Sequence, residues 1–274
     1  MPEGPEIHRL ADRLTEAIVG QETERVRFGL ARLEPFENEL SGLRVHAVEP
    51  RGKALLTRFE GGRVLYSHNQ LYGRWFVRTP GTLPNTGRSL RVAIETPRRW
   101  ALLYSASDIE VLHEDELATH PFLSSIGPDL LAKTTTPAKI RRRLASSRFR
   151  GRSLGGLLLD QSFLAGVGNY LRSEILFFAG LPPNARPKDL ADEELAELAK
   201  VARQITLRSY RTGGTTEEPD HVARAKQAGE PRRSWRHAVF GRRGAACRRC
   251  GTPIERIEIA SRRLYLCSTC QPPR

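Results

Sequence analysis

The sequence has no long apolar run. Nothing in its 274 residues approaches the ~18 uninterrupted apolar residues that a membrane-crossing helix needs. A secretion signal is also lacking, because MPEGPEIHRL has neither a basic flank nor an apolar core behind it. These absences lead to the expectation of a soluble cytoplasmic protein with no membrane partner. Cysteine is scarce, and all four copies lie between positions 247 and 270, so none is left for a disulfide framework elsewhere. Acid is scarce too. Against 44 Lys and Arg stand 31 Asp and Glu, a formal charge of +13 with a pI near 10.2. Such an imbalance attracts polyanions, of which nucleic acid is the commonest inside a cell.

The distribution of charge sharpens that reading. Residues 231–274 hold eleven Arg and two Glu, and the run from Arg141 to Arg152 holds six Arg and no acid. A uniformly basic protein would not cluster its arginines in this way, whereas a surface that releases counterions from phosphates would. The apolar fraction of 39% is ordinary for a globular chain, and the length suffices for two domains.

Spacing predicts an α+β fold in ordered segments. Ile7, Leu10, Ala11, Leu14 and Ile18 follow a helical period, so residues 3–19 are expected as one amphipathic helix with Pro5 in its first turn and Gly20 at its end. A helix starting there pins the N-terminus against the fold. Seven β-rich runs follow, at 23–28, 43–49, 54–59, 63–67, 73–78, 89–95 and 100–105, which predicts an antiparallel sandwich or barrel. From about residue 137 the pattern turns helical, in TPAKIRRRLASS, GGLLLDQSFLAG, NYLRSEILFFAG and DLADEELAELAKVARQITLRSY. The expected divisions are 1–124 for the helix and sandwich, 125–136 for a linker, 137–235 for a helical domain and 236–274 for a cysteine module. Residues 213–235, rich in Gly, Thr, Pro and charge, are expected as a mobile connection.

Cys247, Cys250, Cys267 and Cys270 form two C-x2-C pairs separated by sixteen residues. That is the spacing of a four-thiolate zinc ribbon, in which two tight turns each offer two sulfurs to a tetrahedral ion. Two disulfides would be the alternative, and an intracellular setting disfavours them. With four protein ligands the zinc is structural and has no open position for catalysis. IERIEIASRRLYL reads as a hairpin whose turn, Ala260-Ser261-Arg262-Arg263, points two arginines outward.

Four motifs, in order, resemble the formamidopyrimidine-DNA glycosylase and endonuclease VIII family over the whole chain. They are MPEGPEI at the start, RGKALL at 51–56 with YSHNQLYG at 66–73, LLLDQSFLAGVGNYLRSEIL at 157–176, and the zinc hairpin. The QLYG string leans towards the endonuclease VIII branch rather than the purine-specific one. The resemblance implies a helix–two-turn–helix element in the helical domain and a zinc ribbon hairpin behind it. It also implies a bifunctional DNA glycosylase and AP lyase of base excision repair. The implied partner is double-stranded DNA carrying a damaged base or abasic site, and one duplex in one cleft is consistent with a monomer.

The residues make chemical sense of that implication. Removal of Met1 would expose Pro2 as a secondary amine, with an α-amino pKa of about 7.7–8.0, so that a useful fraction is neutral and nucleophilic. Retained Met1 would make the same nitrogen an amide and abolish the chemistry. Attack at the sugar C1′ expels the base and leaves a cationic iminium, which acidifies the C2′ proton and opens the way to elimination. The resemblance implies Glu3 as general acid at the ring oxygen, a role served by a carboxylate buried beside apolar groups, and Glu6 as support for the terminus. Lys53 corresponds to the family's phosphate-contacting proton donor in β-elimination. Arg262 corresponds to the hairpin arginine of δ-elimination, a better phosphate clamp than acid given its pKa above ~12. Asn169, after Gly166-Val167-Gly168, is implied to hold phosphate at a helix start. Gln70, Leu71 and Tyr72 fit a wedge that fills the gap left by an extruded base. Ser125 stands where an arginine contacting DNA is expected, and leaves that position without charge.

Two other readings compete. The same chemistry could act on oxidised purines, since lesion choice rests with pocket loops. A non-catalytic zinc-dependent DNA-binding protein would explain the basic hairpin equally, but not the MPEG terminus with Lys53 and Asn169 in register.

Overall fold

Pro5 and the Ile7-Leu10-Leu14-Ile18 stripe build the first element, α1 (Gly4–Ile18). Its start is tied by the Glu3 backbone N–H donating to Glu6 Oε2 at 3.1 Å, and its end by the Gly20 N–H donating to the Val45 carbonyl at 2.8 Å. Ile7, Leu10, Leu14 and Ile18 are all buried. The computed structural model describes residues 2–273; Met1, whose removal is expected to expose the Pro2 amine, and Arg274 lie outside the described residues. The chain divides into two units, Met1–Ser125 and Ile126–Arg274.

In the first unit all seven expected strands are present: β1 (Arg25–Phe28), β2 (Val45–Arg51), β3 (Ala54–Phe59), β4 (Arg63–His68), β5 (Arg74–Arg78), β6 (Leu90–Glu95) and β7 (Trp100–Tyr104). An eighth, β8 (Asp108–His113), was not expected. Its DIEVLH sequence alternates Ile109 and Val111 with acids, and as an edge strand beside β4 it buries one face only, so its β propensity is diluted by charge. Two short helices, α2 (Glu37–Leu40) and α3 (Pro121–Ser125), complete the unit. The strands form two four-stranded antiparallel sheets, β2-β3-β4-β8 and β1-β6-β7-β5. Val48, Leu55 and Leu65 from one sheet, Val26, Ile94 and Leu103 from the other, and the stripe of α1 form a single core. This is the predicted sandwich with its helix.

The second unit holds α4 (Pro137–Ala145), α5 (Leu154–Leu157), α6 (Asn169–Phe178), α7 (Asp192–Arg211), α8 (Pro219–Gln227) and α9 (Arg232–Trp235), then a hairpin of β9 (Glu255–Ile259) and β10 (Arg262–Leu266). Ile140, Leu157, Leu171 and Leu198 share a core with Leu264 and Leu266 of the hairpin. GGLLLDQSFLAG is not the single helix expected of its spacing. α5 stops at Leu157, and the Asp160 and Gln161 side chains bind nearby backbone, a local competitor to helical hydrogen bonding. The segment 213–235, expected as a connection, carries α8 and α9. Pro219 sits in the first turn of α8, and Trp235 is buried with its indole N–H on the Glu230 carbonyl at 3.0 Å.

Leu14 has no exposed surface and lies at the centre of the α1 contact with the sandwich. Leu14→Ala is expected to lower stability by about 2–5 kcal/mol through lost burial and the cavity left behind. Urea unfolding checks this; a cost within the scatter of a surface substitution would mean that α1 does not dock as described.

Candidate active site and nucleic-acid interface

The docking of α1 brings its first residues to a cavity of about 620 Å³, lined at this end by Pro2, Glu6, Asn69 and Gly73. Pro2 is half-buried, and Glu3 is only 4% exposed. Glu6 closes the first turn of α1: one carboxylate oxygen accepts the Glu3 N–H and the other the Arg9 guanidinium at 3.3 Å. Lys53 occupies the β2–β3 turn, where Gly52 has φ +62°. It is buried rather than solvated, unlike an ordinary strand-end lysine. His68, the cross-strand partner of Ala54, is held below the usual imidazole range, first by burial. Asp108 opposes that shift, and the nearby Lys53 charge adds to it.

The residues after His68 leave the sheet in a tight turn closed by the Gly73 N–H on the Asn69 carbonyl at 2.7 Å. A side chain at position 73 would collide with Asn69, whose carbonyl oxygen lies 2.5 Å from an ideal Cβ, so glycine is required. Gln70 takes the left-handed conformation at φ +48°, its N–H on His68 Nδ1 at 3.2 Å and its side-chain oxygen accepting the Ser107 hydroxyl at 3.0 Å. Arg88 reaches in from the β5–β6 connection and donates to the Tyr72 carbonyl at 2.6 Å. Leu71 and Tyr72 are thereby lifted off the protein, 62% and 69% exposed. Exposed large apolar side chains on a braced turn are costly to keep unless something covers them. Ser107 and Arg88 were not singled out from the sequence; both lie in ordinary loops, and only the fold brings them to the turn.

In the second unit, Gln161 shapes the approach to α6. Its amide donates to the Leu159 and Val167 carbonyls, both at 2.9 Å, and its oxygen accepts the Gly166 N–H at 3.0 Å. Gly166 has φ +92°. Gly168 is the N-cap, so Asn169 is the first helical residue of α6 and half-buried. The hairpin turn is Ala260-Ser261, with φ +53° and +56°, the pattern of a type I′ turn. Arg262 is therefore not in the turn, as the sequence reading had it, but opens β10 opposite Ile259 with Arg263 beside it, both exposed.

Three consecutive residues of α6 connect these parts. Arg172 is completely buried and donates to the Gly155, Arg262 and Arg263 carbonyls at 2.8, 3.3 and 3.1 Å. Ser173 Oγ accepts the Tyr265 N–H at 3.1 Å. Glu174, also fully buried, accepts the N–H groups of Ala238, Val239 and Phe240 at 2.8–2.9 Å and the Thr216 hydroxyl. His237 packs on Tyr170 with ring centroids 5.1 Å apart. Burial, with help from Arg236 and Arg232, pushes its pKa down to about 3. Sequence reasoning passed over Arg172 and Glu174, although two charges in an otherwise apolar helix are the signal that finds such residues. Ser125, at the end of α3, turns its hydroxyl onto the Phe122 carbonyl at 2.9 Å.

The cysteine sulfurs all lie within 4.8 Å of one another, with Cys247–Cys270 at 3.9 Å and Cys250–Cys267 at 3.4 Å. A zinc ion with bonds of about 2.3 Å needs tetrahedral edges of about 3.8 Å, so the four sulfurs fit it. They form one structural zinc site. Gln271 locks the second knuckle by accepting the Cys267 N–H and donating to the Leu181 carbonyl.

Three family models match this chain in sequence order. Formamidopyrimidine-DNA glycosylase N-terminal domain covers residues 1–116, formamidopyrimidine-DNA glycosylase H2TH domain 126–220, and zinc finger found in FPG and IleRS 244–273. The chain belongs to the formamidopyrimidine-DNA glycosylase and endonuclease VIII family of DNA glycosylases and AP lyases. It is 50% identical over 271 residues to Endonuclease 8 of Pectobacterium atrosepticum, covering 99% of this chain and 100% of the relative. To Endonuclease 8 of Salmonella typhi it is 49% identical over the same length and coverage. Its fold matches Lactococcus lactis formamidopyrimidine-DNA glycosylase, solved non-covalently bound to AP-site DNA, with a TM-score of 0.80 at 21% identity and 99% and 100% coverage. A second structure of that protein, with N7-benzyl-Fapy-dG DNA, gives 0.82 at 22% with the same coverage. Family membership disposes of the non-catalytic alternative.

Chelation of the zinc is expected to release the segment 244–273 while the first unit stays folded, because the metal supplies the bonds that join the two knuckles to each other. Limited proteolysis of the chelated protein checks this. New cleavage should fall in 244–273; unchanged protection there would mean that the hairpin core and Arg172 hold the module without metal.

Proposed function

We propose that this protein excises oxidised pyrimidines, such as thymine glycol, from double-stranded DNA and then cuts the strand by β,δ-elimination through Pro2. The observation that carries the proposal is that Pro2 and the root of the Gln70-Leu71-Tyr72 turn line the same cavity. An amine for the sugar and a wedge for the vacated stack are thus supplied from one face of one unit.

Pro2 nitrogen attacks C1′, and the bond to the base breaks. Glu3 protonates the ring oxygen as the sugar opens, leaving a C1′ iminium. Loss of the C2′ proton to solvent expels the 3′ phosphate, and loss of the C4′ proton from the resulting unsaturated iminium expels the 5′ phosphate. Lys53, buried at the β2–β3 turn, contacts phosphate and donates a proton in the first elimination. Arg262, exposed at the head of β10, clamps the phosphates flanking the lesion, and Asn169 holds phosphate at the start of α6. Leu71 enters the stack, supported by Gln70 and Tyr72. Ser125 sits at the interface without adding charge, so its contribution to binding is small. The enzyme works as a monomer in the cytoplasm on nucleoid DNA.

Borohydride reduces an iminium to a stable amine. A duplex with one thymine glycol, treated with the protein and borohydride, should yield a covalent adduct that mass spectrometry maps to an N-terminal Pro2 lacking Met1. An adduct formed only with an oxidised purine would move the substrate to the sister branch. Absence of adducts with either, despite a free Pro2 and tight DNA binding, would refute the lyase chemistry.

Two variants test the other roles. Arg262→Ala should weaken DNA binding and the second elimination while leaving the fold intact, since Arg172 grips the backbone carbonyl rather than the side chain. Leu71→Ala should slow excision from a paired duplex more than cleavage at a preformed abasic site in a single strand, where there is no stack to fill. Equal slowing of both would remove Leu71 from the wedge role.

A further inference from the structure

The cavity that begins at Pro2 continues away from it between α1 and β5, and arginines line that continuation. Arg13 comes from α1, Arg74 and Arg78 from β5, and Arg98 and Arg99 from the β6–β7 turn. Among the described residues, none of these five has a carboxylate within ion-pair distance. Arg13, Arg74, Arg98 and Arg99 are exposed. Two glutamates share the lining, Glu6 and Glu16. Glu6 is already engaged by the Glu3 N–H and by Arg9, so the groove keeps a positive excess.

Two of the arginines are also preorganised. The guanidinium groups of Arg74 and Arg78 lie 4.9 and 5.2 Å from the centroid of Phe76, which is itself braced edge-on by Tyr104 at 5.6 Å. A stacked guanidinium has less freedom to lose when its planar fork meets phosphate. Protection of an unpaired sheet edge is the plain alternative, because β5 pairs only with β7 and charged side chains discourage strand addition. Edge protection accounts for Arg74 and Arg78. It leaves Arg13, Arg98 and Arg99 unexplained, since they face the same groove from other elements.

We propose that this groove is a phosphate track that holds the sugar–phosphate backbone of nucleic acid beyond the reacting nucleotide. The inference rests on the DNA-processing role proposed above. The spread of charge favours a polymer over a single anion. Arg13 lies eleven residues beyond Pro2, roughly 16 Å along a helix axis, and each strand of a duplex carries a phosphate about every 3.4 Å of its axis. An isolated phosphate offers a single partner to five arginines, whereas a strand running from Pro2 brings several phosphates to the groove.

The test compares binding to two duplexes carrying a reduced abasic site, one of about ten base pairs and one of about thirty, across a range of salt. The parent protein should show a steeper fall of log affinity with log salt on the longer duplex. In the combined variant Arg13→Ala, Arg98→Ala, Arg99→Ala that length dependence should shrink, with the slope on the longer duplex shallower by about two to three units. The matching triple change to Lys, which keeps the charge, should retain most of it, and thermal unfolding of both variants excludes a folding artefact. A triple-Ala variant with the parent's length dependence would overturn the track while leaving the DNA reading intact. A parent protein that binds neither duplex in a salt-dependent way would overturn both.

Discussion

Two buried charges on one turn of α6 set the geometry of the second unit. Arg172 and Glu174 have no exposed surface, and burying such groups is unfavourable unless strong hydrogen bonds compensate. Here most of their partners are backbone groups distant in sequence: hairpin carbonyls for Arg172 and the 238–240 amides for Glu174, which also accepts the Thr216 hydroxyl. Carbonyls and amides cannot be mutated away, so the frame tolerates changes in the side chains it positions. The helix that begins with Asn169 and the strand that begins with Arg262 are thus parts of one rigid arrangement. The hairpin turn needs that support, because Ala260 and Ser261 both sit in the left-handed region without being glycine, a strained state that persists only where the surroundings over-determine it.

The first unit solves a different problem by different means. A chain terminus is ordinarily at risk of fraying. Here the terminus is drawn down by the apolar stripe of α1, whose core is shared by both sheets, and its last residues are held by Glu6. The turn over residues 69–73 is rigid for a related reason: Gly73 permits the close return of the chain, and Arg88 and Ser107 fix the backbone and the Gln70 side chain. Stability far from the chemistry is what lets Leu71 and Tyr72 remain exposed.

Much of the architecture was legible in the residues. The strand runs in the sandwich, the first helix and the zinc knuckles all follow from local periodicity or spacing, which depend on near neighbours in sequence. Legibility failed where side chains competed with the backbone. Gln161 and Asp160 broke the helix expected over 155–166, the acids of β8 hid a strand that only an edge position allows, and α8 and α9 formed in a segment whose composition reads as a loop.

By itself the sequence determined the family and the metal ligands and singled out the candidate reacting groups, because each is carried by residue type at short spacing: an MPEG terminus, paired C-x2-C knuckles, QLYG. Tertiary structure alone decided which of those groups share a cavity, which side chains hold them, and that Arg262 opens a strand instead of sitting in a turn. It also decided that five arginines from three separated segments line one groove. Such facts depend on contacts between residues tens of positions apart, and these arise from burial and pairing that no local pattern encodes.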